Sequence, residues 1–216
     1  MGILRKLLEF CIFKRSLIFT KTSRHFSFII HHLFMPFIET GIEGLKIFEP
    51  RIFGDERGYF FESYNYDLFR SAGINNIFMQ DNQSRSTRGV LRGLHYQVGE
   101  YAQAKLVRCI EGEVLDIVAD IREGSPTYGK TFSCLLSAEN KRQLFIPRGF
   151  AHGFIVLSDT AEFFYKCDNF YSKAHEGSII YNDPTFAIDW GMPESALILS
   201  EKDRVHPTFG AHRRFY

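Results

Sequence analysis

The 216-residue sequence holds one Trp, four Met, four Cys and seven Pro, and its scarcities close several routes. Cys11, Cys109, Cys134 and Cys167 show no Cys-x-x-Cys spacing, which is a poor match to a zinc knot or a disulfide framework; free thiols in a reducing compartment are expected. An excess of one charge is missing too, with 26 Lys and Arg against 25 Asp and Glu, so the basic footprint of a nucleic-acid binder is not there. Long apolar runs are also absent from the N-terminal region. Its longest stretch without a charged side chain, His25 to Ile38, has 14 residues, short of the roughly 18–20 that span a bilayer. P-loop, GxGxxG, nucleophile-elbow and HExxH patterns do not occur, which leaves acid–base chemistry or binding.

The even charge balance conceals a split. Residues 1–34 carry Arg5, Lys6, Lys14, Arg15, Lys21 and Arg24 against Glu9, a net +5, which leaves −4 for residues 35–216. The basic stretch has few Ser, and no small-x-small cleavage site follows its apolar run from Leu7 to Phe13, which disfavours transit and secretory signals. Met35 is the expected working start, with an interfacial helix or targeting segment as the competing readings. Two parts are thus expected: a basic extension, 1–34, and one domain, 35–216, large enough for its own core.

That domain is rich in aromatics, with 23 Phe and 10 Tyr in the chain, and glycines or turn clusters punctuate it about every ten residues, as in an all-β sandwich or barrel. Lys105 to Arg122 reads as a hairpin around Glu111-Gly112-Glu113. Its second arm alternates, placing Leu115, Ile117, Ala119 and Ile121 on one face and Val114, Asp116, Val118 and Asp120 on the other. Only Tyr66 to Ala72 and Ala138 to Arg142 read as helical turns. A closed antiparallel barrel or jelly roll fits, with a small-ligand cavity at its mouth.

Polar residues within strand-like segments are the candidates for chemistry. Gly89 to Gln97 places Arg92, His95 and Gln97 in an apolar, glycine-punctuated run; Gln143 to Phe154 places His152 between small residues; Phe163-Phe164-Tyr165-Lys166 puts a phenol in a hydrophobic strand. Each alone fits a hydrogen-bonded structural residue, but together they form a candidate proton-transfer set, His95 and Tyr165 acting on opposite sides of a substrate. Arg51, Arg57, Arg85, Arg92, Lys105, Arg108, Lys202 and Arg204 are possible anion clamps, with Arg92 and Lys105 favoured because both lie in strand-like segments beside His95. The His-x-His pair of a jelly-roll metal site is absent, so no metal is expected, although two His and a Glu could still converge.

Asp55 to Ser63, Gln80 to Gln97 with its string GVLRGLHYQ, QAKLV at 103–107, Asp120-Ile121-Arg122, SPTYG at 125–129, Gln143 to Ser158 with IPRGFAHGF, and LSEKD at 199–203 resemble the dTDP-4-dehydrorhamnose 3,5-epimerases over about residues 35–207. The resemblance implies a cupin-type jelly roll, a homodimer, no metal or organic cofactor, and epimerisation at C3 and C5 of dTDP-4-dehydro-6-deoxy-D-glucose; the cytoplasmic location is the expectation from the free thiols. It implies His95 as base, Asp203 as its orienting partner, Tyr165 as acid and Lys105 beside the C4 oxygen. Arg57, Glu62, Gln80, Asp81, Asn82, Arg92, His152, Glu176 and Lys202 fall at nucleotide-sugar-binding positions, and Tyr171 at that of an aromatic stacked on thymine. Relatives that epimerise one carbon share this scaffold, so a mono-epimerase remains open. So do a non-catalytic sugar-nucleotide-binding jelly roll and a metal-dependent cupin.

Overall fold

Period-two alternation and glycine punctuation become thirteen strands and one short α-helix among residues 36–216, the part of the chain described by the computed structural model. The basic extension and the readings attached to it lie outside these residues.

The strands are β1 (Phe37–Glu39), β2 (Lys46–Phe48), β3 (Phe53–Asp55), β4 (Gly58–Phe60), β5 (Gln80–Thr87), β6 (Leu91–Gln97), β7 (Lys105–Glu111), β8 (Glu113–Asp120), β9 (Thr131–Ser137), β10 (Gln143–Ile146), β11 (Phe150–Val156), β12 (Thr160–Cys167) and β13 (Glu176–Ser178). One sheet runs β1-β2-β10-β7-β12-β5 and a second β13-β6-β11-β8-β9, while β3 and β4 form a separate hairpin. Every paired neighbour is antiparallel. Two facing antiparallel sheets are the expected jelly-roll architecture.

The expected hairpin at 105–122 is not one. Strand β7 pairs with β10 and β12, whereas β8 pairs with β11 and β9, so the turn at Gly112 carries the chain from one sheet to the other. Gly112 has φ +74°, and a Cβ there would lie 2.0 Å from the Thr160 carbonyl oxygen; only glycine fits so tight a crossing. Nor does β8 have a single apolar face. Val114 and Val118 pack between the sheets with Val107, Leu144 and Phe163, while Ile117, Ala119 and Ile121 are covered by Ile179, Tyr181, Trp190 and Phe215 of the C-terminal segment. Burying side chains of this size contributes roughly 1.5–3 kcal/mol each, so both layers hold the second sheet in place.

The helix α1 (Tyr66–Ser71) forms where expected, its N-cap Asn65 accepting from Leu68 N at 3.2 Å. The second expected helical turn, Ala138 to Arg142, is an ordinary turn. Asn140 Oδ1 accepts from Ser137 N and Arg142 N, and Lys141 sits at φ +56°, a side-chain alternative to helical hydrogen bonding.

Candidate active site

The cavity follows from which face of each strand turns inward. On the first sheet Tyr165 stands between Asn82 and Val107, and Cys167 between Gln80 and Lys105, so Lys105, Tyr165, Asn82 and Gln80 share the inner face. On the second, His152 of β11 pairs with His95 of β6, after which the register shifts so that Phe154 faces Arg92. A Cβ on Gly93 would meet Gly153 Cα at 2.5 Å. The two glycines thus let the strands close in beside both histidines.

A cavity of about 520 Å³ lies between the sheets, lined by His95, His152, Lys105, Tyr165, Ser84, Arg92, Ser200, Lys202 and Asp203. A smaller one, of about 190 Å³, shares His95, Lys105 and Tyr165 and adds Gln80, Asn82, Tyr171 and Glu176. His95 thus comes from one sheet, and Tyr165 and Lys105 from the other.

The LSEKD segment reaches His95 because Val90 and Ile198 form a parallel bridge, tied by Leu91 N to Ile198 O at 3.0 Å and Ile198 N to Gly89 O at 2.8 Å. Asp203 Oδ1 lies 2.6 Å from His95 Nε2 and 3.1 Å from His206 Nε2, and Ser200 Oγ donates to Oδ2 at 2.7 Å. The two Nε2 atoms are 3.2 Å apart, the separation that follows when both donate to one oxygen. Burial acts to raise the Asp203 pKa, but the hydrogen bonds from His95, Ser200 and His206 outweigh it and hold the carboxyl far below the usual carboxylate range. Asp203 is an anion, and with Nε2–H turned toward it the His95 lone pair is on Nδ1.

A second pair sits deeper. His152 Nε2 is 2.8 Å from Asp116 Oδ2, and both residues are buried. Asp116 Oδ1 has no hydrogen-bond partner. Burial pushes the Asp116 carboxyl up and the His152 imidazole down, each favouring its neutral form. Lys105 Nζ lies 5.8 Å from the centroid of the Tyr165 ring; burial lowers the lysine and raises the phenol.

Several expected binding residues gather here. Tyr171 OH donates to Glu176 Oε2 at 3.3 Å, and Lys202 pairs with Glu176 Oε1 at 2.5 Å. Arg92 reaches Ser86 Oγ at 3.2 Å through Nη2. Three do not line either cavity. Asp81 follows inward-facing Gln80 on β5, so it projects from the opposite face and pairs with Lys166 at 3.0 Å. Arg57, on the exposed β3–β4 hairpin, pairs with Asp55, and Glu62 Oε1 accepts from Asn65. Sequence reasoning gave no site role to Asp116, Ser84, Ser200 or His206. Asp116 did carry a signal, a carboxylate alternating with Val114 and Val118 on an apolar face.

A two-sheet jelly roll with an aspartate-held imidazole on one wall, and a phenol and an ammonium on the other, defines a cupin-type protein built for acid–base work on a small ligand. A family model described as dTDP-4-dehydrorhamnose 3,5-epimerase matches residues 39–211. The dTDP-4-dehydrorhamnose 3,5-epimerase of Shigella flexneri is 58% identical over 170 residues, 78% of this chain and 93% of the relative. A crystal structure of the dTDP-6-deoxy-D-glucose-3,5-epimerase of Legionella pneumophila Philadelphia 1, in complex with dTDP-4-keto-L-rhamnose, is 51% identical with a TM-score of 0.77, covering 81% of this chain and 92% of that one. A 3'-monoepimerase from Streptomyces bikiniensis, in complex with dTDP-quinovose, is 35% identical with a TM-score of 0.73, covering 79% and 86%. The chain belongs to the dTDP-4-dehydrorhamnose 3,5-epimerase family.

Proposed function

We infer that the chain epimerises dTDP-4-dehydro-6-deoxy-D-glucose at C3 and C5 to dTDP-4-dehydro-L-rhamnose, a step of dTDP-L-rhamnose biosynthesis. The observation that carries this reading is the placement of His95 and Tyr165 on opposite walls of one cavity. Both C–H bonds flank the C4 ketone, so each can be broken if the resulting enolate is stabilised. In this reading His95 Nδ1 takes the proton while Asp203 holds Nε2–H and balances the imidazolium. Lys105 faces the C4 oxygen, where a positioned cation contributes on the order of a few kcal/mol. Tyr165 returns a proton from the other side, which inverts the centre. Its raised pKa keeps the phenol protonated at neutral pH.

Gln80, Asn82, Arg92, His152, Glu176 and Lys202 are proposed to hold the nucleotide-sugar and Tyr171 to stack on the base. Arg92 suits a phosphate oxygen pair. With residues 35–216 at net −4, the anionic substrate is drawn by this local group of cations and not by the overall field. Arg57 and Glu62 keep a binding role only if the β3–β4 hairpin reaches a second copy. Its exposed Phe53, Tyr59 and Phe60 support the proposal of a homodimer, which light scattering would test. A start at Met35 agrees with a family match that begins at residue 39. A cytoplasmic location agrees with free Cys109, Cys134 and Cys167. Among the described residues no helix is long and apolar enough to cross a membrane.

Incubation with dTDP-4-dehydro-6-deoxy-D-glucose in D2O tests the reaction. Deuterium is expected at both C3 and C5, with His95→Ala abolishing it. Exchange at C3 alone would make the chain a mono-epimerase, and tight binding without exchange a binding protein.

A further inference from the structure

His206 is absorbed by none of the steps above, yet it is buried and its Nε2 shares an oxygen with the base. We propose that His95, Asp203 and His206 form a binding site for a divalent transition-metal ion of the zinc class, and that occupancy of this site switches the enzyme off. Only the switching half rests on the epimerase reading; the binding half stands on the three side chains.

The donor atoms already form a triangle. Its sides are 2.6 Å from His95 Nε2 to Asp203 Oδ1, 3.1 Å from His206 Nε2 to the same oxygen, and 3.2 Å between the nitrogens. Tetrahedral zinc with bonds of about 2.0–2.1 Å sets its donors roughly 3.3 Å apart, so the ion requires the His95–Asp203 edge to open by about 0.7 Å and the other two by far less. Two imidazoles and one carboxylate select zinc, cobalt, nickel or copper over magnesium or calcium. Three protein ligands leave a fourth position for water. Ser200 Oγ holds Asp203 Oδ2 at 2.7 Å, leaving Oδ1 for the ion, as the outer shell of a metal site does. Entry is through the cavity, which both His95 and Asp203 line. A search for His-x-His misses this set, because one histidine comes from β6 and the other follows Asp203 by three residues in the C-terminal segment.

The consequence for catalysis follows from the ring's single proton. A neutral imidazole bound to metal through Nε2 carries its proton on Nδ1. The proton that Nε2 carried in its hydrogen bond to Asp203 moves, through solvent, to Nδ1, no electrons are exchanged, and the lone pair needed to take a substrate proton is gone. The same shift occurs on His206, and Asp203 binds through Oδ1, with Oδ2 held by Ser200. The ion therefore disables the base by fixing its proton on Nδ1.

The test uses the full chain, freed of metal by dialysis against a chelator, together with His206→Ala and His206→Gln, the second retaining an N–H donor for Asp203. Zn2+ binding is measured by calorimetry and Co2+ binding by its visible absorption. The parent is expected to bind one equivalent that both variants lose, their affinity falling at least about 100-fold, beyond the cost of losing an outer-shell partner. The cobalt bands of that equivalent should be four-coordinate and free of thiolate charge transfer. With one equivalent of Zn2+, the parent's exchange rate should fall at least about tenfold from its own metal-free value and recover with chelator, while each variant keeps most of its own metal-free rate. Equal stoichiometry and affinity in parent and variants, or a cobalt spectrum showing thiolate ligation, would overturn the site. Binding at the site with an unchanged exchange rate would overturn the switch. A parent that binds the ion but exchanges no proton even when metal-free would instead sink the epimerase reading and leave the site standing.

Discussion

Two histidines line the same cavity, each held by an aspartate at nearly the same separation, 2.6 Å for His95–Asp203 and 2.8 Å for His152–Asp116, yet their environments push the carboxyls in opposite directions. Asp203 collects donors from His95, His206 and Ser200 and is held far below the ordinary range. Asp116 has the imidazole alone, with one oxygen unpartnered, and burial pushes it up. Deeper burial and fewer donors separate a carboxylate that favours its neutral form from one that can steady an imidazolium. This difference supports the proposal of His95 as the base and of His152 as a substrate-holding residue.

The strongest way to break this comparison is to remove each imidazole. His95→Ala is expected to lower kcat by about 10²–10⁴-fold, the range of general acid–base catalysis. His152→Ala should act mainly on KM. Comparable losses of kcat in both would erase the distinction.

Next in size is the pair of carboxylates. Asp203→Asn keeps the shape but removes the charge that steadies the imidazolium, and kcat should fall on the order of 100-fold. Asp116→Asn mimics the form its environment already favours, and steady-state kinetics should show a change of only about threefold.

The third test concerns the alkaline limb of the pH–rate profile. Burial lowers the Lys105 pKa, so the ammonium loses its charge earlier than an exposed lysine would. In Lys105→Arg, whose charge persists to higher pH, any limb set by this group should move upward even where the rate itself is reduced. An unmoved limb would detach Lys105 from the profile.

The smallest effect is on stability. The folded pKa of Asp203 is depressed, so its pairing stabilises the protein above the unfolded value of about 3.9 and is lost as pH falls from there toward the folded value. The folded pKa of Asp116 is raised, so its burial penalty is present at neutral pH and is relieved as pH falls through that raised value. Thermal melts should show Asp203→Asn less stable than the parent at pH 7, with the deficit shrinking toward pH 3. Asp116→Asn should be no less stable than the parent at pH 7, its relative advantage declining with acid.

Much of this was legible in the sequence, and what was not has a physical reason. Glycine spacing and alternation pointed to an all-β barrel or jelly roll, and the resemblance carried by GVLRGLHYQ, QAKLV and LSEKD singled out His95, Lys105 and Asp203, which the fold brings to one cavity with Tyr165. Adjacency along the chain does not tell a turn within a sheet from a crossing between sheets, so β7 and β8 read as a hairpin. Asp81 matched a binding motif, but period-two alternation turns it away from the inward-facing Gln80 and Asn82. His206 gave no local signal, because its meaning depends on His95, which precedes it by 111 residues.

The central claim is that a base on one sheet and an acid on the other act on opposite sides of one substrate. The most direct test is to follow deuterium uptake and epimerisation together in D2O for His95→Asn and Tyr165→Phe. His95→Asn should do neither. Tyr165→Phe should still take deuterium into substrate of unchanged configuration, because the base can return what it removes on its own side, while inversion falls far more than exchange. Undiminished exchange in His95→Asn, or inversion in Tyr165→Phe that keeps pace with exchange, would contradict it.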